Sequence, residues 1–363
     1  MSVSKREFGK ITTLETLGLI GVVLTIPIVQ LIRLLGKPFS EIDRQRTWRR
    51  VKADAAFGHL TTYLNTTQVQ FVDKSTEAVI KKWAGPAGIE IEVEKVDAGA
   101  QLLWFTPKSR KRVVMYIHGG GYLLPAPPFA PGFWKLVADR LNEKGKDVSL
   151  AALEYTLVPK ATFPTQLRQG VAALNHLIAA GYSPEDIHIV SDSAGAGLAL
   201  QVLSHVLHPL EGIPNVNFGE AKLGSLILIS PYSSLEITSP TFTSNATKDI
   251  FPVAFFKHLG DQVKDGIPDA QRPYIESGRT PEDWFVGVDK YVKRALITCG
   301  ANECLRHDIE VFNKKFSAAL KDTKYITSEL GTHNEPYGHF LAEEPTPGDW
   351  PILMSDWLAD SMA

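Results

Sequence analysis

The sequence predicts an α/β fold in which a mostly parallel central sheet carries helices on both faces and a helical cap. Short apolar segments alternate with helical ones from residue 112 onward, a pattern typical of strands buried on both faces. Two turns of small residues, at 118–122 and 191–195, directly follow such apolar segments. Because right-handed crossovers bring the carboxyl ends of parallel strands to one edge, we expect both turns at that edge.

Length, composition and charge fit a large soluble enzyme. The 363 residues and a hydrophobic fraction of 44% provide for a sizeable core, and α/β folds of this length are often one unit. A net charge of -2 gives no electrostatic reason to expect nucleic acid as a partner. Cys299 and Cys304 are too few for a disulfide framework or a zinc site, and no metal or organic cofactor is expected.

The amino-terminal segment, residues 1–40, differs from the rest because an apolar run from Leu17 to Ile32 follows the basic residues Lys5 and Arg6. This run of 16 residues is shorter than the roughly 20 that cross a bilayer. We expect a membrane-associated or weakly spanning helix, and a helix packed over the catalytic domain is the next interpretation. A cleaved signal peptide comes last because no small-x-small site follows the run.

Positive charges follow this apolar run. They are Arg33, Lys37, Arg44, Arg46, Arg49, Arg50 and Lys52. If the helix spans a membrane, these charges hold the catalytic domain on the cytoplasmic side, for example at the endoplasmic reticulum. A cytoplasmic protein is the alternative. In either location the glycosylation sequons at Asn65 and Asn245 remain unused.

The other elements follow from local patterning. Residues 41–85 are predicted to form amino-terminal cap helices, and residues 86–363 the catalytic domain. Alternating polar and apolar residues predict a pair of strands, and continuous apolar runs predict the buried strands after them. A helix is predicted to begin at Pro164 and to end before Gly181. The predicted strands are 89–96, 101–106, 112–117, 148–155, 187–190, 223–229, 294–298 and 324–330, and the predicted helices include 164–180 and 307–320.

Residues 233–291 interrupt the alternation of strands and helices. This segment is too long and too aromatic for a simple crossover, which is typical of a lid or cap with its own helices. Together with the amino-terminal helices, it is predicted to roof the active site and to shape an apolar pocket. The residues predicted to line this pocket are Tyr122, Phe251, Phe255 and Trp284.

Ser193 lies in the segment Val190-Ser-Asp-Ser-Ala-Gly195, which predicts a nucleophile elbow between a buried strand and a helix. Such a turn is so tight that its neighbours must be small, and the following helix directs its amide end towards the serine. The usual pattern has glycine two positions before the nucleophile, whereas this chain has Ser191. We expect this modest steric change to be tolerated.

Three consecutive glycines follow the strand in the segment Val113-Val-Met-Tyr-Ile-His-Gly-Gly-Gly-Tyr122. Glycines weaken a strand end, so close approach of the backbone to a ligand is the best reason for them. In acyl transfer, each backbone amide aimed at the developing oxyanion removes about 3 kcal/mol of barrier. Gly120 and Gly121 are therefore predicted to supply two amides of an oxyanion hole, and Ala194 a third.

A serine nucleophile needs a base within hydrogen-bond reach and an acid that orients this base. Glu303 is the preferred acid because it lies just after a predicted strand, while Asp308 is the alternative and is expected to begin the next helix. The loop after the last strand offers two bases, His333 and His339. His333 is favoured because it lies closer to the strand end.

These motifs together resemble those of hormone-sensitive-lipase-like α/β-hydrolases. The landmarks are His118-Gly-Gly-Gly-Tyr122, Tyr155-Thr-Leu-Val-Pro159 with Phe163-Pro164, Ser191-Asp-Ser-Ala-Gly195 and Glu303-Cys-Leu-Arg. Glutamate at 303, with the hydrophobic leader, is similar to fungal esterases of the steryl-acetate hydrolase type. The resemblance covers roughly residues 85 to 360. It implies an α/β-hydrolase fold with Ser193 as nucleophile, Glu303 as acid, a histidine base and the same oxyanion amides.

The predicted activity is hydrolysis of a carboxylic ester, in which an acetyl or other short acyl group passes through an acyl-enzyme. An acetylated sterol, terpenoid or other lipophilic metabolite is the expected substrate, because of the aromatic cap and the resemblance. Acyl transfer or a nonhydrolytic biosynthetic reaction would use the same site if the cap excludes water. A noncatalytic small-molecule receptor is the least favoured alternative, because a nucleophile and two candidate bases are present.

Overall fold

An eight-stranded sheet forms the centre of the computed structural model, which describes residues 7–108 and 110–362. The strands are β1 Glu92–Val96, β2 Ala100–Trp104, β3 Arg112–Ile117, β4 Val148–Glu154, β5 Ile187–Asp192, β6 Ser225–Ile229, β7 Ala295–Gly300 and β8 Thr323–Ser328. Their spatial order is β1-β2-β4-β3-β5-β6-β7-β8. Strand β2 runs antiparallel to both neighbours, and all other neighbouring pairs are parallel.

The predicted α/β fold with a mostly parallel sheet is confirmed, and each predicted strand end lies within three residues of the observed one. The helices, in chain order, are α1 Thr13–Gly36, α2 Trp48–Tyr63, α3 Thr66–Asp73, α4 Thr76–Ala84, α5 Ala130–Glu143, α6 Thr165–Ala179, α7 Ser193–Leu207, α8 Thr241–Ser244, α9 Val253–Lys264, α10 Arg272–Ile275, α11 Arg306–Ala319, α12 Gly338–Leu341 and α13 Trp350–Ser361.

Helices cover both faces of the sheet because the side chains of a buried strand alternate between two apolar layers. On β3, Val113 and Met115 pack into one layer, whereas Val114 and Tyr116 pack into the other. Helices α6, α7 and α11 supply the first layer, and α5 and α13 the second. This two-sided burial explains why β3 reads as a continuous apolar run in the sequence.

The carboxyl ends of the parallel strands meet at one edge, where the loops with the candidate catalytic residues lie. The glycine-rich loop follows β3, Ser193 follows β5, Glu303 follows β7 and His333 follows β8. Helices α2 to α4, from residues 41–85, precede the first strand in the chain. Helices α8 to α10, from the insertion 233–291, lie between β6 and β7. The division of the chain into cap and catalytic regions stays a prediction.

Helix α1 is longer than the apolar run that predicted it. It has 24 residues because it begins at a capping box, in which Thr12 and Glu15 bond each other's backbone amides, and continues past Arg33 in its last turn. The 16-residue apolar run therefore underestimated the length of this helix, and the prediction of a membrane-associated or weakly spanning helix stays a prediction. By length and composition alone, the segment Thr13–Phe39 is sufficient to cross a membrane. Residues 1–6 with Lys5 and Arg6, Ser109 and Ala363 lie outside the described residues.

Candidate active site

Ser193 lies at the sharp turn between β5 and α7. Its backbone is in the left-handed region, with a φ of 48°, a conformation that non-glycine residues adopt rarely and mostly where function requires it. Ser191, two positions earlier, is fully buried, and its hydroxyl donates to the Ile227 carbonyl on β6 at 2.9 Å. This hydrogen bond accommodates a serine where the usual elbow has glycine.

Gly195 allows α7 to start directly against the end of β3. A Cβ at this position would lie 2.0 Å from the Ile117 carbonyl oxygen and 2.5 Å from that of His118. Neither contact involves a flexible side chain, so any larger residue must displace backbone. The elbow and the glycine-rich loop are therefore held together by backbone contact.

We expect Gly195→Ala to destabilise the protein by about 1–3 kcal/mol and to lower activity, because overpacking at this contact moves the elbow away from the glycine-rich loop. The matched control is Gly21→Ala in α1, where an added Cβ meets nothing within 4 Å. Thermal unfolding and turnover of a short ester measure both effects. Unchanged stability and turnover in Gly195→Ala would contradict the close backbone contact.

Three side chains form a line from the nucleophile to a buried carboxylate. His333 Nε2 lies 2.9 Å from Ser193 Oγ, and His333 Nδ1 lies 3.4 Å from Glu303 Oε2. The second distance is longer than a closed hydrogen bond, and catalytic hydrogen bonds often tighten only when substrate binds. Glu303 is fully buried; its Oε2 accepts from the Ser230 hydroxyl at 2.6 Å and its Oε1 from the Cys299 thiol at 3.1 Å.

The alternative acid and base lie elsewhere. Asp308 lies in the first turn of α11, as expected, and its side chain is buried there. His339 lies on the short helix α12, and its Nδ1 is bonded to the Thr346 carbonyl at 3.1 Å. The structure thus brings Ser193, His333 and Glu303 together and does not bring His339 or Asp308 into the same line of contacts.

The environment of His333 favours its charged form. Burial opposes the imidazolium, but the adjacent Glu303 carboxylate, with the charges of the nearby Asp249 and Asp192, outweighs burial and raises the pKa of His333. A base with a raised pKa is a stronger proton acceptor for the serine hydroxyl. These carboxylates also stabilise the imidazolium that forms when His333 takes that proton.

We expect kcat/KM for a short ester to rise with pH through the pKa of His333, because the base must be neutral to accept the serine proton. Since this pKa is raised, the midpoint of the rise lies above the ordinary histidine value of about 6.5. A pH profile from about pH 5 to about pH 9 measures the midpoint. A midpoint below the ordinary value would contradict the electrostatic role of the buried carboxylates.

Two residues of the glycine-rich loop have a left-handed backbone conformation. Gly120 and Gly121 have φ values of 109° and 63°, in the region that favours glycine. A Cβ on Gly120 would lie 2.5 Å from the Leu124 carbonyl oxygen, and one on Gly121 would lie 2.4 Å from the Leu259 side chain. Within the described residues, no protein acceptor is hydrogen-bonded to either amide. The Ala194 amide, in the first turn of α7, likewise has no acceptor within its helix.

His118, at the start of this loop, has a structural role. Its Nδ1–H donates to the Gly119 carbonyl at 2.6 Å, and its Nε2 accepts from the Thr76 hydroxyl of α4 at 2.9 Å. The ring stacks on Tyr155 with centroids 4.4 Å apart. Burial lowers the pKa of His118 to about 4, so the ring stays neutral and ties the loop to α4.

Two buried aspartates at the site were not predicted from the sequence. Asp192 accepts hydrogen bonds from the hydroxyls of Tyr116 at 2.7 Å and Tyr337 at 3.1 Å, and from the Asn334 side-chain amide at 3.1 Å. It thereby ties the elbow to the histidine loop. Its position directly before Ser193 is the one signal in the sequence that could have identified it.

Asp249, from the insertion, joins the acid loop to the base loop. It accepts from the backbone amide of Cys304 at 2.7 Å and from that of His333 at 3.0 Å. Burial, with a smaller contribution from Glu303, raises the pKa of Asp249 to about 6 although the His333 charge opposes this. No local pattern in the sequence marks this residue, because both partners are far along the chain.

A cavity of about 730 Å³ opens above Ser193, within the range of small-molecule sites. Ser193, His333, Gly120 and Gly121 lie at its base. The predicted pocket residues Phe251 and Phe255 line it. The amino-terminal helices supply further apolar walls, including Leu19, Val23 and Ile26 of α1 and Phe57 and Leu60 of α2.

The prediction that Tyr122 and Trp284 line this cavity was wrong. Tyr122 has a φ of 64°, which turns its side chain into the core, where its hydroxyl accepts from the Gln201 amide at 2.8 Å. Trp284 stacks on His208 with centroids 3.9 Å apart, and its indole N–H donates to Ser204 at 3.0 Å. Both rings pack on α7 rather than above the nucleophile.

Comparisons with known proteins agree with this fold. A family model described as alpha/beta hydrolase fold matches residues 114–335. An acetyl-hydrolase from Streptomyces hygroscopicus is 26% identical over 228 residues, which are 62% of this chain and 68% of that protein. A carboxylesterase/phospholipase, LipF, from Mycobacterium tuberculosis is 27% identical over 212 residues, 57% of this chain but only 52% of the relative.

A solved structure gives the same fold. The crystal structure of an esterase from the bacterial hormone-sensitive lipase family superimposes with a TM-score of 0.68, covering 88% of this chain and 99% of that one. The two sequences are 19% identical, so this likeness concerns the fold alone.

Proposed function

The chain belongs to the alpha/beta hydrolase family and is hormone-sensitive-lipase-like, and from this premise we propose that it is a carboxylic ester hydrolase with Ser193 as its nucleophile. The observation that carries the proposal is the distance of 2.9 Å between Ser193 Oγ and His333 Nε2, with Glu303 behind the imidazole. Relatives named acetyl-hydrolase and carboxylesterase support the same class of reaction.

In the first half-reaction, Ser193 Oγ attacks the ester carbonyl while His333 Nε2 takes the hydroxyl proton. The carbonyl oxygen becomes an oxyanion that accepts hydrogen bonds from the amides of Gly120, Gly121 and Ala194. Each such amide contributes about 3 kcal/mol to lowering the barrier. The imidazolium then gives its proton to the leaving alcohol, and the acyl group remains on Ser193.

In the second half-reaction, His333 removes a proton from water, which attacks the acyl-enzyme through a second oxyanion at the same amides. Glu303 faces His333 Nδ1 in both steps, so it fixes the tautomer in which Nε2 is the free base. When the intermediate collapses, its bond to Ser193 Oγ breaks, the His333 imidazolium returns its proton to that oxygen, and the carboxylic acid is released.

The substrate is an ester with a large hydrophobic part. The cavity presents mainly apolar side chains, including the stacked pair Phe251 and Phe255 with centroids 5.0 Å apart. Rings and alkyl chains gain the most from leaving water for such walls. An acetyl or other short acyl group beside Ser193 leaves most of the cavity to a lipophilic alcohol, such as a sterol or terpenoid.

Helix α1 associates the enzyme with a membrane. The segment Thr13–Phe39 has a mean hydropathy of 2.1, and none of its residues is fully buried in the protein. An apolar surface of this length is stable against lipid and costly in water. A membrane-associated enzyme is also close to the lipophilic substrates that its cavity fits.

The test of the proposed function is labelling with a fluorophosphonate, which reacts with an activated serine. We expect stoichiometric labelling of the full-length protein that is lost in Ser193→Ala and kept in Ser191→Ala, a matched control whose hydroxyl is engaged with the Ile227 carbonyl. A short ester is then given to the protein together with an added alcohol, and release of the acid is compared with transfer of the acyl group to that alcohol. No labelling of the folded protein, or labelling that survives in Ser193→Ala, would refute the nucleophile assignment.

A further inference from the structure

Exposed apolar surface is concentrated in one part of the protein. Among the described residues, all but three of the exposed large apolar side chains lie between residues 14 and 72. The three exceptions are Val286, Leu330 and Ile352. Along α1 the most exposed of these side chains are Leu14, Leu17, Leu24, Ile28, Leu31, Ile32 and Leu35, each with 57% to 78% of its surface open. A water-exposed surface of this kind requires a partner.

Polar contacts hold α1 against helices α2 and α3 and the segment before α2, from Glu15 near its start to Arg33 in its last turn. Near its start, the Gln68 side chain donates to the Glu15 carbonyl at 2.7 Å. In its middle, Thr25 Oγ1 bonds His59 Nε2 at 2.8 Å. Further along the helix, the Gln30 side chain donates to the Lys52 carbonyl at 3.2 Å.

The last turn of α1 is held in the same way, because Arg33 forms a bidentate ion pair with Asp43 at 2.9 and 3.0 Å. Helix α1 therefore lies lengthwise beside α2. Helix α2 carries Arg49 and Lys52, for which no acidic partner is found among the described residues, beside Arg50, which is paired with Asp54 and Glu335. It cannot follow α1 into the centre of a bilayer, where unpaired charges are strongly disfavoured.

The contacts to α2 decide how α1 meets a membrane. A free helix of this length and hydropathy would cross the bilayer. To cross the bilayer, α1 must move away from α2 and lose all of the polar contacts that its residues between Glu15 and Arg33 make with the rest of the protein. A helix that keeps them has one long side on the protein and the other in lipid, with both of its ends on the same side of the membrane.

The inner edge of α1 is part of the substrate cavity. Leu19, Val23 and Ile26 line the same space as Ser193 and His333. Helix α1 therefore lies between the cavity that contains Ser193 and the surroundings of the protein on the outer side of α1. A lipophilic ester that leaves the membrane beside α1 reaches the cavity without crossing bulk water.

The residues flanking α1 indicate lipid as the occupant of its outer side. Phe39, just beyond the helix, is 90% exposed, and Trp48 is 55% exposed. The guanidinium of Arg49 and the ammonium of Lys52 lie 5.1 and 5.2 Å from the Trp48 ring centroid. Aromatic rings with neighbouring cations are typical of the headgroup level of a membrane.

We propose that α1 lies in the plane of one membrane leaflet without crossing it, and that the substrate passes from this leaflet beneath α1 into the catalytic cavity. The second part rests on the proposed esterase function, whereas the first depends on the contacts of α1 alone. The two parts are tested separately.

The position of α1 is tested with single cysteines on either side of it, Lys10→Cys and Glu41→Cys. The natural Cys299 and Cys304 are only 2% and 0% exposed and give little background. The full-length protein is bound to the outside of sealed vesicles made of equal parts phosphatidylcholine and phosphatidylserine, then treated with a membrane-impermeant maleimide.

We expect both cysteines to react without detergent. Protection of Lys10→Cys until detergent is added would show that α1 crosses the bilayer and would overturn the proposal. Failure to float with the vesicles, together with a dimer in sedimentation, would assign the apolar face to a second copy of the chain and would overturn it equally.

Substrate delivery is tested with the double variant Leu24→Glu/Ile28→Glu, which changes the outer side of α1 and not the cavity. The matched control is Val286→Glu, an equally exposed apolar side chain, 69% open, outside this region. We expect both proteins to hydrolyse water-soluble p-nitrophenyl acetate at the wild-type rate. On a long-chain ester dissolved in the vesicles, the double variant loses at least about 10-fold in rate and the control does not.

The outcomes separate the two proposals. Unchanged hydrolysis of the vesicle-borne ester in a double variant that no longer floats would overturn delivery through the leaflet. Absence of p-nitrophenyl acetate hydrolysis in the wild-type protein would refute the esterase function, while leaving the labelling of the two cysteines as a valid measure of how α1 lies.

Discussion

His333→Ala is expected to lower kcat for a short ester by about 10⁴-fold to 10⁶-fold, whereas His339→Ala leaves kcat within a few-fold of wild type. His333 Nε2 is the group at 2.9 Å from Ser193 Oγ, so its loss removes both the proton acceptor and the later proton donor. His339 Nδ1 is bonded to the Thr346 carbonyl, and within the described residues its ring has no hydrogen bond to Ser193 or His333.

The comparison is made by steady-state kinetics, with thermal unfolding of both variants to show that each is folded. A residual rate in His333→Ala above the uncatalysed one is expected, because the oxyanion amides and the cavity remain. Loss of turnover in His339→Ala, with a retained rate in His333→Ala, would reverse the assignment of the base.

The fold was predictable because its determinants are local. A strand buried on both faces must be continuously apolar, and β3 was predicted with the bounds at which it occurs, Arg112–Ile117. The order of motifs along the chain then places each loop, since parallel strands share one carboxyl edge. The positions of Ser193, Glu303 and His333 follow from that topology, and their catalytic roles stay predictions.

The cavity was less predictable because its walls depend on side-chain direction and on distant contacts. Sequence composition shows that the insertion is aromatic, but the left-handed backbone at Tyr122 and the stacking of Trp284 on His208 decide which rings reach the cavity. Hydropathy alone did not predict that α1 contributes to the walls of the cavity. A helix that contacts lipid and one that contacts a hydrophobic substrate have the same composition.

Asp249 shows the same limit for polar residues. Its partners are backbone amides 55 and 84 positions away. Almost every residue type has a backbone amide, so the sequence does not indicate which residues act as donors. Long-range contacts of this kind give no periodicity and no motif. The missed groups at the site, Asp192 and Asp249, are both acceptors that connect loops rather than groups that contact a substrate.

Glu303→Gln is expected to lower kcat by about 10⁴-fold, because glutamine keeps the shape of the side chain but loses the charge that orients and stabilises the imidazolium. The matched control is Asp308→Asn, in the next helix, for which we expect a change of no more than a few-fold. Kinetics with a short ester measure the loss, and thermal unfolding shows whether the buried amide is tolerated beside Ser230 and Cys299.

The pH profile of Glu303→Gln distinguishes a catalytic carboxylate from a structural one. Glu303 raises the pKa of His333, so its neutralisation lowers that pKa and moves the midpoint of the residual activity to lower pH. A variant that merely disturbs packing would lose activity at an unchanged midpoint. If Glu303→Gln keeps most of its activity and its midpoint while Asp308→Asn loses both, the acid is Asp308. If both variants stay active, the charges of Asp249 and Asp192 are sufficient to hold the imidazolium.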